Sequence, residues 1–138
     1  MANQIYPSFL QQLMEQFFKV DPPWTTDSMD VFVCGVGSGY TFDPSHHEVE
    51  DLGINVVLSP AVIPNVTLTN GVFGADDVET TVAEEAGQVV EAIVIFCAND
   101  DGSQLIAYID EGLPTQLPMT LLAGTVFIHW NDSGIFRI

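Results

Sequence analysis

The residues best suited to chemistry are two adjacent histidines, His46 and His47, with Glu50 and Asp51 four residues beyond each. On a helix that spacing puts each imidazole beside a carboxylate, half of a metal site. A usable site needs three or four convergent ligands, and the one remaining histidine, His129, lies far along the chain. The spacing therefore favours a solvated helix face. A second candidate is Asn99-Asp100-Asp101-Gly102, where Asp100 and Asp101 suggest calcium. The EF-hand order fails there because Cys97 stands where the first aspartate belongs. His46, His47, Asp100 and Asp101 remain the metal candidates, and the sequence names no cofactor.

Nucleophilic chemistry finds less support. Cys34 and Cys97 both sit in apolar runs of an acidic chain, whereas a reactive thiolate needs a basic neighbourhood. Two small buried hydrophobes is the favoured reading, with a single disulfide as the alternative. Ser38, Ser45 and Ser133 have no nucleophile-elbow context. Carboxylate pairs (Asp76-Asp77, Glu84-Glu85, Asp110-Glu111) fall at turns and strand ends, as a highly acidic surface predicts. Gly35-Val36-Gly37-Ser38-Gly39 looks like a phosphate loop, but no helical pattern and no lysine follows it. A strand-to-loop connection fits better, and no enzyme emerges.

The elements that would position these residues centre on Val89 to Asp110. Two runs rich in β-branched and aromatic residues flank Asn99–Ser103, a turn whose Asn, Asp and Gly reach positive φ cheaply. Apart from Glu91 the first run is apolar on both faces, which predicts a strand in the middle of a sheet, covered on both sides. Ahead of it, Ile5 to Phe18 carries a helical period with Pro7 in the first turn, ended by Asp21-Pro22-Pro23. Met29 to Val36 reads as the first strand. A short second helix follows, capped by Asp43 or Ser45 and closed by Gly53. From Ile54 the chain reads as all β, with Ser59-Pro60 and Ile63-Pro64 confining the next strand to an edge or a bend. Strands follow near Val66–Val72, Val78–Val82, Leu121–Trp130 and Ile135–Ile138. The expected fold is mainly β: an antiparallel sandwich or flattened barrel with an N-terminal amphipathic helix (5–18) and one short second helix. Residues 1–138 form a single domain with its β-rich body over 29–138.

The chain has 138 residues, long enough for a substantial core. Nineteen acids face two fixed bases, Lys19 and Arg137, for a formal charge of −17. Nucleic acid and anionic membranes repel such a chain, so neither is an expected partner. No export signal or membrane-length apolar run is evident, which predicts synthesis in a cytoplasm.

A series of short motifs carries a resemblance. It runs Tyr6-Pro7-Ser8-Phe9-Leu10, then Tyr40-Thr41-Phe42-Asp43 with His46 and His47, then Ala75-Asp76-Asp77-Val78. Ala92-Ile93-Val94-Ile95-Phe96 follows, then Leu105-Ile106-Ala107-Tyr108-Ile109-Asp110, then Ile128-His129-Trp130 leading to Gly134-Ile135-Phe136. In this order, over nearly the whole chain, it resembles a group of small virion structural proteins of tailed bacteriophages. The resemblance implies a non-catalytic virion component made in the host bacterial cytoplasm. A capsid decoration (cement) protein binding the major capsid protein and copies of itself is the main expectation, with a trimer as one candidate oligomer. A tail, neck or fibre-associated protein is the alternative, and a cation- or ligand-binding β domain the third. Two departures are the near absence of basic residues and a proline-containing insertion over Leu113 to Met119. Expected interface anchors are Tyr6, Phe9, Leu13, Phe17, Trp24 and Phe136, taken from the amphipathic helix and from the aromatics, which dominate interface hot spots.

Overall fold

The computed structural model describes residues 4–7, 9, 30–69, 72–82, 86–99, 102–111, 113–114, 116–130 and 134–137. Its strands are β1 (Gln4–Ile5), β2 (Asp30–Val36), β3 (Val56–Val62), β4 (Thr67–Thr69), β5 (Val72–Gly74) and β6 (Val78–Val82). They continue with β7 (Val89–Val90), β8 (Ala92–Asn99), β9 (Gly102–Ile109), β10 (Met119–Thr120), β11 (Gly124–Ile128) and β12 (Phe136–Arg137). The fold is mainly β, and every strand pairing is antiparallel. The largest sheet has the order β1-β9-β8-β2-β3, so β8 is its middle strand. β10 pairs with β7, β11 with β6, and β5 lies between β12 and β4. The large sheet is open, with β1 and β3 at its edges, and does not close into a barrel. No helix among the described residues is long and apolar enough to cross a membrane.

The apolar run takes the predicted place from Ala92 onward, whereas Val89 and Val90 form β7, which pairs with β10 in a separate ladder. Ala92 to Cys97 are all buried, on both faces of the sheet. β8 joins β9 with Asn99 opposite Gly102, leaving two residues for the connection. Ile95 pairs with Ala107 but Phe96 with Leu105, so Ile106 is an extra residue and β9 bulges there. Leu105 and Ile106 are both buried as a result. Paired residues share a face, so Cys34 opposite Val94 and Cys97 opposite Val31 point to opposite sides of the sheet. The disulfide alternative falls on this geometry: both are free, buried thiols, each pushed up to about 12 by desolvation.

Two local expectations change. The predicted helix over 5–18 begins too early, because Ile5 belongs to β1 and pairs with Ala107. Tyr6 extends that ladder by donating its N–H to the Ile106 carbonyl, and helical backbone starts at Pro7. The remainder of that expectation, residues 10–18, lies outside the described residues. The short second helix is a 3₁₀ segment, Val49–Asn55, which starts at Glu48 rather than at Asp43 or Ser45. Gly53 sits inside it at φ 60, and this left-handed kink blocks a regular α-helix.

Pro60 lies in edge strand β3, where its missing N–H costs no ladder bond, and the β2–β3 register shifts beside it. The proline-containing insertion delivers Met119 and Thr120 to Val90 and Val89, and packs Leu113, Leu117 and Met119 against the core. The glycines at the end of β2 and just beyond it serve packing rather than phosphate. A Cβ on Gly35 would stand 2.8 Å from Leu58 Cβ and 2.9 Å from Val90 Cγ1. Gly35→Ala is therefore expected to cost about 1–3 kcal/mol by overpacking. A urea denaturation midpoint equal to wild type would show that β3 and β7 yield freely.

Candidate functional site

The segment between β2 and the 3₁₀ turn holds the most connected polar cluster. Pro44 follows Asp43, and the Asp43 carboxylate turns back to accept the Ser45 N–H at 2.8 Å and the Ser45 hydroxyl at 2.7 Å. This Asx-turn presents His46, whose own N–H donates to the Asp43 carbonyl. His46 Nδ1 lies 3.0 Å from the Tyr40 hydroxyl, and Nε2 lies 3.6 Å from Asp43 Oδ2. The Tyr40 hydroxyl also shares a 2.8 Å hydrogen bond with that of Tyr6. Tyr6 meets Phe42 with ring centroids 4.8 Å apart, and Tyr108 on β9 packs against both Phe42 and Tyr40. The result is a line of polar atoms running from an exposed carboxylate to a fully buried phenol.

Its electrostatics argue against acid–base or nucleophilic work. Burial, followed by the hydrogen bond to Tyr40, pushes the Tyr6 hydroxyl far above the ordinary phenol range. Tyr40 and Tyr108 are also raised, chiefly by burial. A nucleophile must reach its substrate, whereas Tyr6 is 0% exposed. The Asp43 carboxyl is held below its ordinary value by the two hydrogen bonds from Ser45. The cluster can order hydrogen bonds and tie the N-terminal strand to this loop.

His47 turns elsewhere. Asp51 accepts the backbone N–H groups of His47 and Glu48, both at 3.0 Å, and its carboxylate lies 3.7 Å from His47 Nδ1. His47 and Asp51 do lie close, but His47 precedes the 3₁₀ segment, so the pair does not share the expected helix face, and His46 contacts Tyr40 and Asp43 in place of Glu50. Ser103 of β9 accepts the Val49 N–H and approaches Glu50, and the His47 carbonyl accepts from Leu105 N–H. The segment is stitched to the sheet by its backbone. Among the described residues, no group of three or more His, Cys, Asp or Glu side chains could hold a metal ion. Asp100 and Asp101 lie outside the described residues.

The sequence reading missed a third cluster. Asp77 accepts from Trp130 N–H at 2.9 Å, and its other oxygen lies 2.9 Å from His129 Nδ1. The Trp130 indole donates to the Asp76 carbonyl, and the Phe127 ring stacks on His129. Ala75-Asp76-Asp77, expected as a turn, is the three-residue connection from β5 to β6, and its link to residues some fifty positions later has no local signature.

Tyr6 and Phe9, named as interface anchors, are 0% and 2% exposed, so the fold uses them as core. Leu13, Phe17 and Trp24 lie outside the described residues, as does the Phe136 side chain. Among the described residues, the large apolar side chains left open are Ile54 (99% exposed), Leu122 (74%), Val62 (54%), Phe127 (49%) and Val89. Val89 departs from the expected double-sided covering of its run, because it belongs to β7 rather than to β8. Comparison with known proteins found no matching family model, no matching curated protein and no matching solved structure.

Asp77 supplies a pH test. Its carboxyl is lowered from 3.8, first by the His129 hydrogen bond and then by the Trp130 N–H. A lowered folded-state value stabilises the fold above the unfolded value, and that contribution is lost as pH falls through the folded one. Asp77→Ala should therefore lower the thermal midpoint at neutral pH, with the gap to wild type closing as the pH drops below 3.8. A gap independent of pH would assign the effect to packing alone.

Proposed function

We propose that this chain is a non-enzymatic structural protein of a tailed-phage virion, a capsid decoration (cement) protein that binds the outer head shell and copies of itself. The observation that carries the reading beyond the motif series is the exposure of Ile54, Leu122, Val62 and Phe127 on a chain of formal charge −17. Charge of one sign keeps copies apart in solution, while apolar side chains held in water are ready to be desolvated by a partner. Leu13, Phe17, Trp24 and Phe136 complete the proposed anchor set. In this reading the sheets pack as a sandwich, and the helix that starts at Pro7 continues towards residue 18.

The same charge constrains the partner. An acidic chain that docks closely on a capsid protein needs a shell face that is basic or neutral where the two meet. Binding should then weaken as salt rises, because screening reduces the attraction between complementary surfaces.

The test is a cryo-EM map of virions that carry the chain, together with co-sedimentation of the purified protein with undecorated shells. Density repeating over the capsid lattice is the expected result. Density confined to the neck or tail would sink the cement reading in favour of a tail-associated protein. Leu122→Ser and Phe127→Ser should each weaken shell binding by about tenfold if the side chain is a hot spot, while thermal midpoints stay near wild type. Undiminished binding by both would remove these anchors from the interface.

A further inference from the structure

We propose that Tyr6, Tyr40 and His46 form a pH-sensitive latch on the N-terminal strand, closed when His46 is neutral and loosened when it takes a second proton. The argument is a count of protons along a line of close contacts. Tyr6 is fully buried and Tyr40 nearly so, and their hydroxyls are 2.8 Å apart. Each hydroxyl carries one proton to donate. With a neutral imidazole bearing its proton on Nε2, every proton has a destination. Tyr6 donates to Tyr40, Tyr40 donates to His46 Nδ1, and Nε2–H faces the Asp43 carboxylate. The geometry assigns this tautomer, because the opposite one places an N–H on the atom that Tyr40 must donate to.

A second proton on His46 reverses the line. Nδ1–H becomes a donor to the Tyr40 oxygen, and Tyr40 must turn its own proton towards Tyr6. The Tyr6 proton is then displaced from the only acceptor its hydroxyl has among the described residues. A buried hydroxyl left without an acceptor is costly. The relief open to the chain is to release Tyr6, whose backbone holds β1 through the N–H donated to Ile106. Residues 4–6 are a short edge ladder on β9, so their separation leaves the β9-β8-β2-β3 sheet paired.

Among the described residues, charged and titratable groups face the latch from several elements. Asp43 on the same loop and Asp51 in the 3₁₀ segment are carboxylates within electrostatic reach of His46. They make the imidazolium tolerable at the surface end, and the conflict passes inward to the tyrosines. Tyr108 on β9 and Cys34 on β2 face Tyr6, with Glu91 and Asp110 beyond Tyr108. The tyrosine and cysteine groups are raised and stay neutral through the acid range, while Asp43 and Asp51 are lowered and stay ionised. Between about pH 7.5 and 5.5 the imidazoles are the groups expected to change charge.

The experiment is native-state hydrogen exchange at the Tyr6 amide, with ¹⁵N imidazole NMR, on the full chain between about pH 7.5 and 5.5. The expected spectrum at the upper pH shows His46 protonated on Nε2. Protonation of His46 should raise the Tyr6 opening equilibrium roughly tenfold after correction for intrinsic exchange, the usual scale for one orphaned buried hydroxyl. His46→Gln keeps an acceptor for Tyr40 but cannot titrate, so its Tyr6 protection should stay level across the range. His47 and His129 remain in that variant and serve as its internal control. An Nδ1–H tautomer at the upper pH would overturn the proposal. So would unchanged wild-type protection while His46 titrates, or a fall in protection that persists in His46→Gln.

Discussion

The burial of β8 on both faces is the constraint from which the rest of the structure follows. Its backbone polar groups can be satisfied only by strands on either side, and β2 and β9 supply them along the whole strand. Its side chains demand two separate coverings. One face carries Val94 and Phe96 beside Cys34, Phe32 and Tyr108, and is capped by Tyr6, Tyr40 and Phe42. The other carries Ile93 and Ile95 beside Gly35, where Val90 and Leu58 close in. The chain therefore has to return twice over the same sheet, and its clusters of polar residues arise where those returns are fastened.

The fastenings follow one chemical pattern. Asp43, Asp51 and Asp77 each accept backbone N–H groups or a neighbouring hydroxyl, and each lies beside a histidine. In a chain with two fixed bases, carboxylates cannot depend on lysine or arginine partners. They are held instead by the Ser45 hydroxyl and N–H at Asp43, by the His47 and Glu48 N–H groups at Asp51, and by His129 and the Trp130 N–H at Asp77, each of which lowers proton affinity. Local order is thus maintained at neutral pH with the large negative charge almost undiminished.

This division explains what could be read from residue types alone. The central hairpin was legible because its signal is local: two apolar runs and a turn whose residues accept unusual backbone angles. The edge position of β3 was legible for the same reason, through Pro60. β1 was hidden because Gln4 and Ile5 are two residues, too few for a period of two to show against the helical period that follows. The second helix was read a few residues early because Asp43 and Ser45 have the chemistry of a cap but spend it on each other. Tyr6 and Phe9 show the limit of periodicity most clearly. An apolar stripe says that a face is buried, and it does not say whether the chain itself or a partner does the burying.

The contrast between Tyr6 and Phe127 bears directly on how such a chain could meet a partner. Tyr6 is enclosed and hydrogen-bonded, so removing it from its site breaks a polar line as well as apolar packing. Phe127 stands opposite Glu79 on the outward face of β11 and stacks on His129. Inward Val78, Val82 and Ile128 hold the β6–β11 pair to the core, so Phe127 can be covered or uncovered without altering the fold. Ile54 follows the Gly53 kink and has the same independence. Side chains that are exposed, large and mechanically independent of the core are those a protein can desolvate against a neighbour at little cost to its own stability. Acidic neighbours such as Glu79 then discourage self-association in free solution, and contact is favoured where a second surface supplies compensating charge.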